Sequence, residues 1–312
     1  MDKLRRLIVG SVGVPLPVFV PSISSIRSLV QWTTYVDILA STPTRMFLLS
    51  AYDYHQATSD DQSAVRNSLD RAKANGSLVV LDSGGYEASW LHREWAQSDY
   101  ASVAAEISPD ILFTFDQPDI PAPDPYATAL DDLTRDSDVA PDAVLVPIVH
   151  GGPKELPDAI GRLAVLDPPL IAVAERRLGR GIDRRCRTIA AIRDAISAQG
   201  RDVPLHLLGT GDPRSILAYA EAGADSFDAV DWSQFVIDPT IAELLPAPRL
   251  DWIRKPAVES SDDSFTIDLT LGNLRFYEDW MEKIRKDRSD GTHAMAKQWI
   301  PRDVEGLEGY SP

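Results

Sequence analysis

The sequence predicts an α/β fold: a (β/α)8 barrel with a reduced C-terminal appendage. About eight short, apolar, β-rich runs alternate along the chain with segments of helical periodicity. None of the strand–helix junctions carries a GxGxxG or Walker loop, and their absence favours a barrel over an open doubly wound sheet. The 312 residues suffice for one large domain with an appendage.

The predicted strands follow one another in chain order and are separated by helical segments. The segments QSAVRNSLDRAKANG (62–76) and RTIAAIRDAISAQG (187–200) have apolar residues at three- and four-residue spacing and a closing glycine. The predicted strands are LPVFVPS (16–22), MFLLSA (46–51), LVVLD (78–82), ILFTFD (111–116), AVLVPIVH (143–150), LIAVAE (170–175), LHLLG (205–209) and ADSFD (224–228).

Composition excludes several classes of protein. No apolar run approaches the roughly 20 residues that a membrane helix needs, so no membrane association is expected. The first 20 residues imitate a signal peptide, but Pro15 and Pro17 interrupt the apolar stretch. The single cysteine, Cys186, excludes an internal disulfide framework and a multi-cysteine zinc site. A cytoplasmic location is therefore predicted.

The charge is strongly acidic overall and basic in one place. A formal net charge of −16 argues against a protein that coats nucleic acid non-specifically. The segment ERRLGRGIDRRCR (175–187) nevertheless carries six arginines. Two interpretations stay open for this basic segment: a grip on phosphates, or a solvated helix face.

Polar residues end most of the predicted strands. In a (β/α)8 barrel the active site lies at the C-terminal ends of the strands. An Asp at a strand end can equally be the N-cap of the next helix, but several polar ends on one rim favour a site. The strand ends are Asp82, Asp116, His150, Glu175, Gly209 and Asp228.

Two of these carboxylates suggest cleavage at an anomeric carbon. With Asp82 and Asp228 facing one another across the barrel mouth, one can form a covalent glycosyl intermediate while the other exchanges protons with the leaving and entering groups. An N-glycosidic bond is the natural target. Tyr86, beyond the glycine pair of LDSGGYE, is placed to lie over a planar ring, with ordinary loop packing as the alternative.

Two further strand ends suit recognition of a purine. Asp116 can accept hydrogen bonds from the N1–H and exocyclic amine of a guanine-like base. His150, before the pair Gly151 and Gly152, can contact the carbonyl edge or the N7 side of such a base, although a lone strand histidine is more often structural.

Five motifs in order resemble the tRNA-guanine transglycosylase family. LDSGGYE is similar to its DSGGF/YQ, PIVHGG to its GIVQGG, and HLLGTGDPRSILAYAEAGADSFD to its MGVGxPxDLLxxxxxGVDMFD. PLPVFVPSISSI resembles its opening TPvFmPVgT, and LGNLRFYEDWMEKIR its late HNLxFYxxLMxxIR. The resemblance covers roughly residues 8 to 286.

The resemblance implies a barrel that exchanges guanine in a nucleic acid for a 7-deazaguanine. By motif position Asp228 is the nucleophile on C1′ and Asp82 the general acid/base. Tyr86 stacks on the base and Asp116 reads it. Further base-binding candidates are Ser83, His150, Gly151 and Glu175.

The chain departs from the family pattern at its metal site and around the base. DAVDWSQFVIDPT (228–240) has no cysteine, and Gly272 stands where the late HN pair has its histidine, so the zinc site is predicted lost and no cofactor is expected. His150 replaces a glutamine. AERRLGRG replaces GGLxxGE, which leaves open whether Glu175 or a backbone amide meets the incoming base.

These departures resemble the branch of the family that inserts 7-deazaguanines (preQ0-like bases) into DNA, so we favour DNA over tRNA as the polymer. The target guanine then has to be flipped into the mouth or presented in a single strand. Arg176, Arg177 and Arg180 are the candidates for holding the backbone. Trp232 is interpreted as core packing, or as a wedge where the base leaves.

Three classes of function stay open. The first is base exchange, on DNA, tRNA or free nucleosides and nucleotides; the second is a plain glycosylase or nucleosidase in which water resolves the intermediate. The third is a silent binding subunit, against which the retention of both aspartates argues. Whether an accessory protein opens the DNA is left open. The catalytic domain is predicted over 1–257, with a polar linker, helix and loosely held tail over 258–312.

Overall fold

The computed structural model describes residues 5–116, 123–253 and 262–300. Its strands are β1 (Arg6–Val9), β2 (Val12–Pro15), β3 (Val18–Ile23), β4 (Met46–Ser50), β5 (Leu78–Asp82), β6 (Ile111–Phe113), β7 (Val144–Val146), β8 (Ile171–Ala174), β9 (Leu205–Leu208), β10 (Ser226–Ala229), β11 (Phe235–Asp238) and β12 (Glu243–Pro246).

Helices alternate with the barrel strands, as predicted. They are α1 (Trp32–Ser41), α2 (Ala51–Gln56), α3 (Ser59–Ala74), α4 (Gly85–Trp90), α5 (Gln97–Ile107), α6 (Pro125–Asp136), α7 (Leu156–Ala164), α8 (Ile182–Ala198), α9 (Pro213–Glu221), α10 (Asp231–Gln234), α11 (Leu250–Ile253), α12 (Asp262–Asp290) and α13 (Ala294–Trp299), with 3-10 turns at Glu175–Arg177 and Ala247–Arg249. No described helix is both long and apolar enough to cross a membrane.

Strands β3 to β10 form one parallel sheet that curls into a nearly closed barrel. Each strand from β3 to β7 pairs with the next, β8 pairs with β9 and β9 with β10, and β10 pairs with β3, where Asp228 lies opposite Val20. Between β7 and β8 the pairing is reduced to one parallel bridge, Ile148 to Ala172. Pro147 has no N–H to donate, which explains why β7 ends at Val146, short of the predicted 143–150. The predicted (β/α)8 barrel is confirmed.

Alternation along the strands separates the barrel interior from the helix-facing side. On β5, Leu78 and Val80 belong to the interior cluster, whereas Val79 and Leu81 pack with the helices. Successive strand residues point to opposite faces, so Asp82 continues the inward set. The β1–β2 hairpin contributes Leu7, Val9, Val14 and Leu16 to the interior cluster.

Helix α12 ties the C-terminal region to the barrel. Asn273 Nδ2 donates to the carbonyls of Trp232 and Phe235, at 2.9 and 2.6 Å. The Tyr277 hydroxyl donates to Gly211 O at 2.5 Å, and its ring stacks on Phe19 at 3.8 Å. Through Tyr277, α12 therefore packs against β3 and the loop before α9.

The described part of the C-terminal region, residues 262–300, contains two helices. Residues 262–268 of the predicted linker form the first turns of α12, and the domain boundary at 257/258 lies outside the described residues. Within 287–300, Asp287 accepts hydrogen bonds from the amides of Ala294 and Met295, and Trp299 packs edge-on against Trp280. Residues 301–312 lie outside the described residues.

Candidate active site

Strand periodicity forms a polar layer at the C-terminal mouth of the barrel. On β10, Ser226 and Asp228 alternate with Phe227 and Ala229, which pack toward the helices. On β9, His206 alternates in the same way with Leu205 and Leu207. The barrel interior therefore changes from apolar to polar toward the mouth.

Asp228 is held by three surrounding groups. Its Oδ2 accepts a hydrogen bond from Ser22 Oγ at 2.5 Å, and its Oδ1 accepts one from the Gly209 amide at 3.1 Å. His206 Nε2 lies 3.1 Å from the same Oδ1. The residue is 7% exposed. Partners from β3 and β9 and the turn after β9 thus fix the carboxylate in one orientation, with the Ser22 bond as the only described contact to Oδ2.

His206 was not singled out from the sequence. It is 1% exposed, and its Nδ1 lies 2.8 Å from Ser226 Oγ, its partner in the β9–β10 register. If Ser226 donates to Nδ1, the neutral ring carries its proton on Nε2 and donates it to Asp228. One feature of the sequence could have indicated His206: it is the only polar residue on the inward face of LHLL (β9).

Asp82 lies in a different environment at the end of β5. Its Oδ2 accepts a hydrogen bond from the Gly84 amide at 3.0 Å. Burial raises the pKa of Asp82 to about 7. The hydrogen bond from the Gly84 amide lowers this pKa, whereas the nearby carboxylates of Asp116 and Asp228 raise it further. A carboxyl group with a pKa near 7 can both donate and accept a proton at neutral pH.

The turn after Asp82 requires glycine at one position. Gly84 has φ 80° and ψ 17°, and a Cβ there would lie 2.4 Å from Tyr52 Cβ and 2.7 Å from its amide nitrogen. Ser83 belongs to the turn itself: it is 1% exposed, and its Oγ accepts from the Gly85 amide at 3.2 Å. The structure thus places the Ser83 hydroxyl in the turn, away from solvent.

Two buried acids beneath this turn were missed by the sequence analysis. Glu87 accepts a hydrogen bond from Ser50 Oγ at 3.1 Å, and burial raises its pKa to about 8, with the Asp53 and Asp82 carboxylates adding to the rise. Asp53 accepts from the amide and hydroxyl of Ser25, both at 2.6 Å, and burial raises its pKa too. Glu87 stands where the resembling motif has glutamine, and a protonated Glu offers the same donor and acceptor.

Asp116 and His150 lie together, as predicted from the strand ends. The Asp116 Oδ1 and His150 Nε2 atoms are 2.5 Å apart. Their relative orientation does not fit a hydrogen bond, and neither buried atom has a hydrogen-bond partner among the described residues. Next to them, a Cβ on Gly151 would lie 3.0 Å from Pro125 Cγ, so a larger residue would crowd this side. Asp116 thus offers a carboxylate oxygen, and His150 a ring nitrogen, and neither atom forms a hydrogen bond with a described residue.

Glu175 is engaged elsewhere. Its Oε1 accepts from Arg185 Nη1 at 2.5 Å and from the Tyr219 hydroxyl at 2.8 Å. Arg185 also donates to Gly179 O, which fastens the loop after β8 to α8. The Glu175 carboxylate is thus held in an ion pair with Arg185, and the structure does not present it as a free group in the mouth.

The basic segment divides into held and exposed side chains. Arg176 and Arg180 are exposed and Arg177 is half-buried. Further exposed arginines on α8 are Arg184 and Arg187. Within the described ranges, none of these four exposed arginines forms an ion pair.

The aromatic residues near the mouth differ in exposure. Tyr86 is 44% exposed and stacks with Trp90, their ring centroids 6.3 Å apart. Trp232 is fully buried, and its Nε1 donates to Ser22 O at 2.8 Å. Trp232 is therefore part of the core beneath the site, and the wedge interpretation is wrong.

Comparison with models of known protein families gives no match, and comparison with curated proteins gives no significant match. The described ranges contain no group of three or more His, Cys, Asp or Glu side chains arranged to hold a metal ion.

Proposed function

We propose that this protein is a base-exchanging glycosyl transferase that replaces guanine in DNA by a 7-deazaguanine. One observation carries the proposal: the same mouth holds an oriented carboxylate, Asp228, and a carboxyl group with a pKa of about 7, Asp82. Two neighbouring acids with such different environments suit a nucleophile and a proton-transfer group.

The proposed reaction has two steps at C1′ of the deoxyribose. An Asp228 oxygen attacks C1′ and the bond to guanine N9 breaks, while Asp82 gives its proton to the departing base. The incoming 7-deazaguanine then loses a proton to Asp82 and attacks C1′ through N9, which breaks the ester bond to Asp228. Asp82 ends protonated again, so the cycle is balanced.

The unmade hydrogen bonds of Asp116 and His150 support a purine in this site. A guanine-like base offers two donors on one edge for the Asp116 carboxylate and acceptors for a histidine N–H. A base bound there would supply hydrogen-bond partners for Asp116 Oδ1 and His150 Nε2, which lie 2.5 Å apart but form no hydrogen bond among the described residues. Tyr86, on the first turn of α4, is exposed enough to cover the face of the ring.

A second candidate is exchange or cleavage of free nucleosides or nucleotides. The net charge of −16 favours this alternative, since a duplex could rest only on the one basic segment. tRNA is the third candidate substrate, and only the resemblance of the sequence motifs supports it.

The test is incorporation of labelled base. The protein is incubated with 8-labelled guanine and, in parallel, with single-stranded DNA, duplex DNA, bulk tRNA or deoxyguanosine, and retained label is counted, with Asp228→Asn as the inactive control. We expect label in DNA that appears only with the unsubstituted protein. Label confined to tRNA or deoxyguanosine would overturn the choice of polymer, and release of guanine without incorporation would identify a glycosylase.

A further inference from the structure

Three side chains form an exposed aromatic and cationic surface on the barrel rim, here called the rim platform: Arg27, Tyr86 and Trp90. Tyr86 and Trp90 lie one helical turn apart on α4, with an interplanar angle of 27°. The Arg27 guanidinium, from the loop after β3, lies over the Trp90 ring at 5.0 Å. The rim platform therefore includes Tyr86, which lies four residues after Asp82 in the sequence.

Its exposure distinguishes the rim platform from ordinary packing. Trp90 is 50% exposed, and Leu91 beside it is 45% exposed. By contrast, Trp232 and Trp280 are buried and donate their indole N–H groups to carbonyls. A large ring held at the surface beside a second ring is a stacking surface for another planar group.

Cations contribute to the charge around the rim platform. Burial raises the pKa of Tyr86, with the Glu87 and Asp231 carboxylates adding to the rise, and Arg27 and Arg176 oppose it. Arg176 also begins the basic segment, whose exposed arginines form no ion pair in the described part of the chain. Aromatic faces beside arginines that form no ion pair with a described residue complement the stacked bases and phosphates of a single strand.

We infer that the rim platform binds single-stranded DNA, with the base next to the target nucleotide stacked on Trp90. Arg176 and Arg180 contact the adjoining phosphates. The inference rests on the proposed function, because the DNA strand that binds the rim platform is the same strand whose target guanine enters the mouth. It assigns Trp90 and Arg27 to strand binding, apart from the chemistry.

The experiment measures binding without catalysis. A fluorescently labelled single-stranded oligodeoxynucleotide of about 12 nucleotides, with one central guanine, is titrated with the full chain by anisotropy at several salt concentrations. The variants are Trp90→Ala, Trp90→Phe and the double variant Arg176→Gln/Arg180→Gln. Trp252→Ala is the matched control, because Trp252 is 83% exposed on α11.

We expect Trp90→Ala to weaken binding roughly five- to a hundredfold at every salt concentration, with Trp90→Phe within about threefold of the unsubstituted protein. The double arginine variant should lower the salt dependence, which Trp90→Ala should leave unchanged. Equal affinity of Trp90→Ala and Trp252→Ala would overturn the inference and leave the exposed rings to a protein partner. Because no base exchange is measured, a protein that binds through Trp90 but incorporates no label would refute the proposed function alone.

Discussion

Asp228 and Asp82 share one barrel mouth, but the hydrogen-bond donors and the charges around the two carboxylates differ between the two sides of that mouth. On the β9–β10 side, a hydroxyl, an amide and an imidazole surround Asp228. On the β5 side, Asp82 has the Gly84 amide as its donor and two carboxylates nearby, and its pKa rises to about 7. The proposed reaction uses this difference: the donors orient Asp228 as the proposed nucleophile, and desolvation and like charges suit Asp82 to the proposed proton transfer.

Replacing Asp228 should have the largest effect. Asp228→Asn keeps the shape of the side chain but removes the proposed nucleophile, so we expect label incorporation to fall by about 10⁴-fold or more. A covalent DNA adduct of the unsubstituted protein, trapped on a denaturing gel, should be missing in the variant. An adduct of undiminished yield in Asp228→Asn would show that another residue attacks C1′.

Replacing Asp82 should have the next largest effect and should change the pH profile. In the proposed reaction Asp82 has to be protonated before it can protonate the departing guanine, so adduct formation should fall as pH rises through about 7. Asp82→Asn should form the adduct about 10²- to 10⁴-fold more slowly, at a rate that no longer varies with pH near 7. A variant that keeps the pH dependence of the unsubstituted protein would assign it to a different group.

His206 tests whether the donors on the β9–β10 side matter beyond folding. His206→Phe removes a contact to the Asp228 carboxylate and leaves Ser226 Oγ without its partner. We expect turnover to fall roughly 10- to 100-fold, since a hydrogen bond to a charged group contributes about 1.5–3 kcal/mol. His206→Gln can restore a donor, so it should recover part of the rate. If His206→Phe and His206→Gln have equal rates and equal melting temperatures, His206 contributes only packing.

Glu87 provides the smallest effect, on stability rather than chemistry. Its pKa is about 8 in the folded protein and about 4.5 when unfolded, so the fold binds the proton more tightly and loses stability as pH rises from about 4.5 through 8. Glu87→Gln keeps a neutral hydrogen-bonding group and should be more stable than the unsubstituted protein at pH 9, by about 1–3 kcal/mol, with no gain at pH 5.

The control for Glu87→Gln is Asp158→Asn, which changes an acid whose side chain is 77% exposed. Denaturant unfolding at pH 5 and pH 9 measures both variants. A pH-independent difference between Glu87→Gln and the unsubstituted protein would contradict a buried, protonated Glu87.

The strands were predictable because their apolar runs are short, β-rich and bounded by turn residues. The inward direction of Asp82 and Asp228 follows from counting by two along β5 and β10, since alternate residues share a face. The partners of Asp228 were not predictable, because Ser22 and His206 come from strands far away in sequence and carry no motif of their own. Glu175 illustrates the opposite case: a strand-end position predicts the mouth, but Arg185 and Tyr219 occupy its carboxylate.

By itself the sequence determined the parallel α/β architecture and which acids end the strands, because both depend on local periodicity. It also determined the special turn after Asp82, because a residue at φ 80° against Tyr52 must be glycine. Only the tertiary structure decided which strand-end acid is surrounded by donors, which is desolvated beside other acids, and which is engaged in an ion pair. Those properties depend on burial and on charges from distant parts of the chain, and no local pattern of residues encodes them.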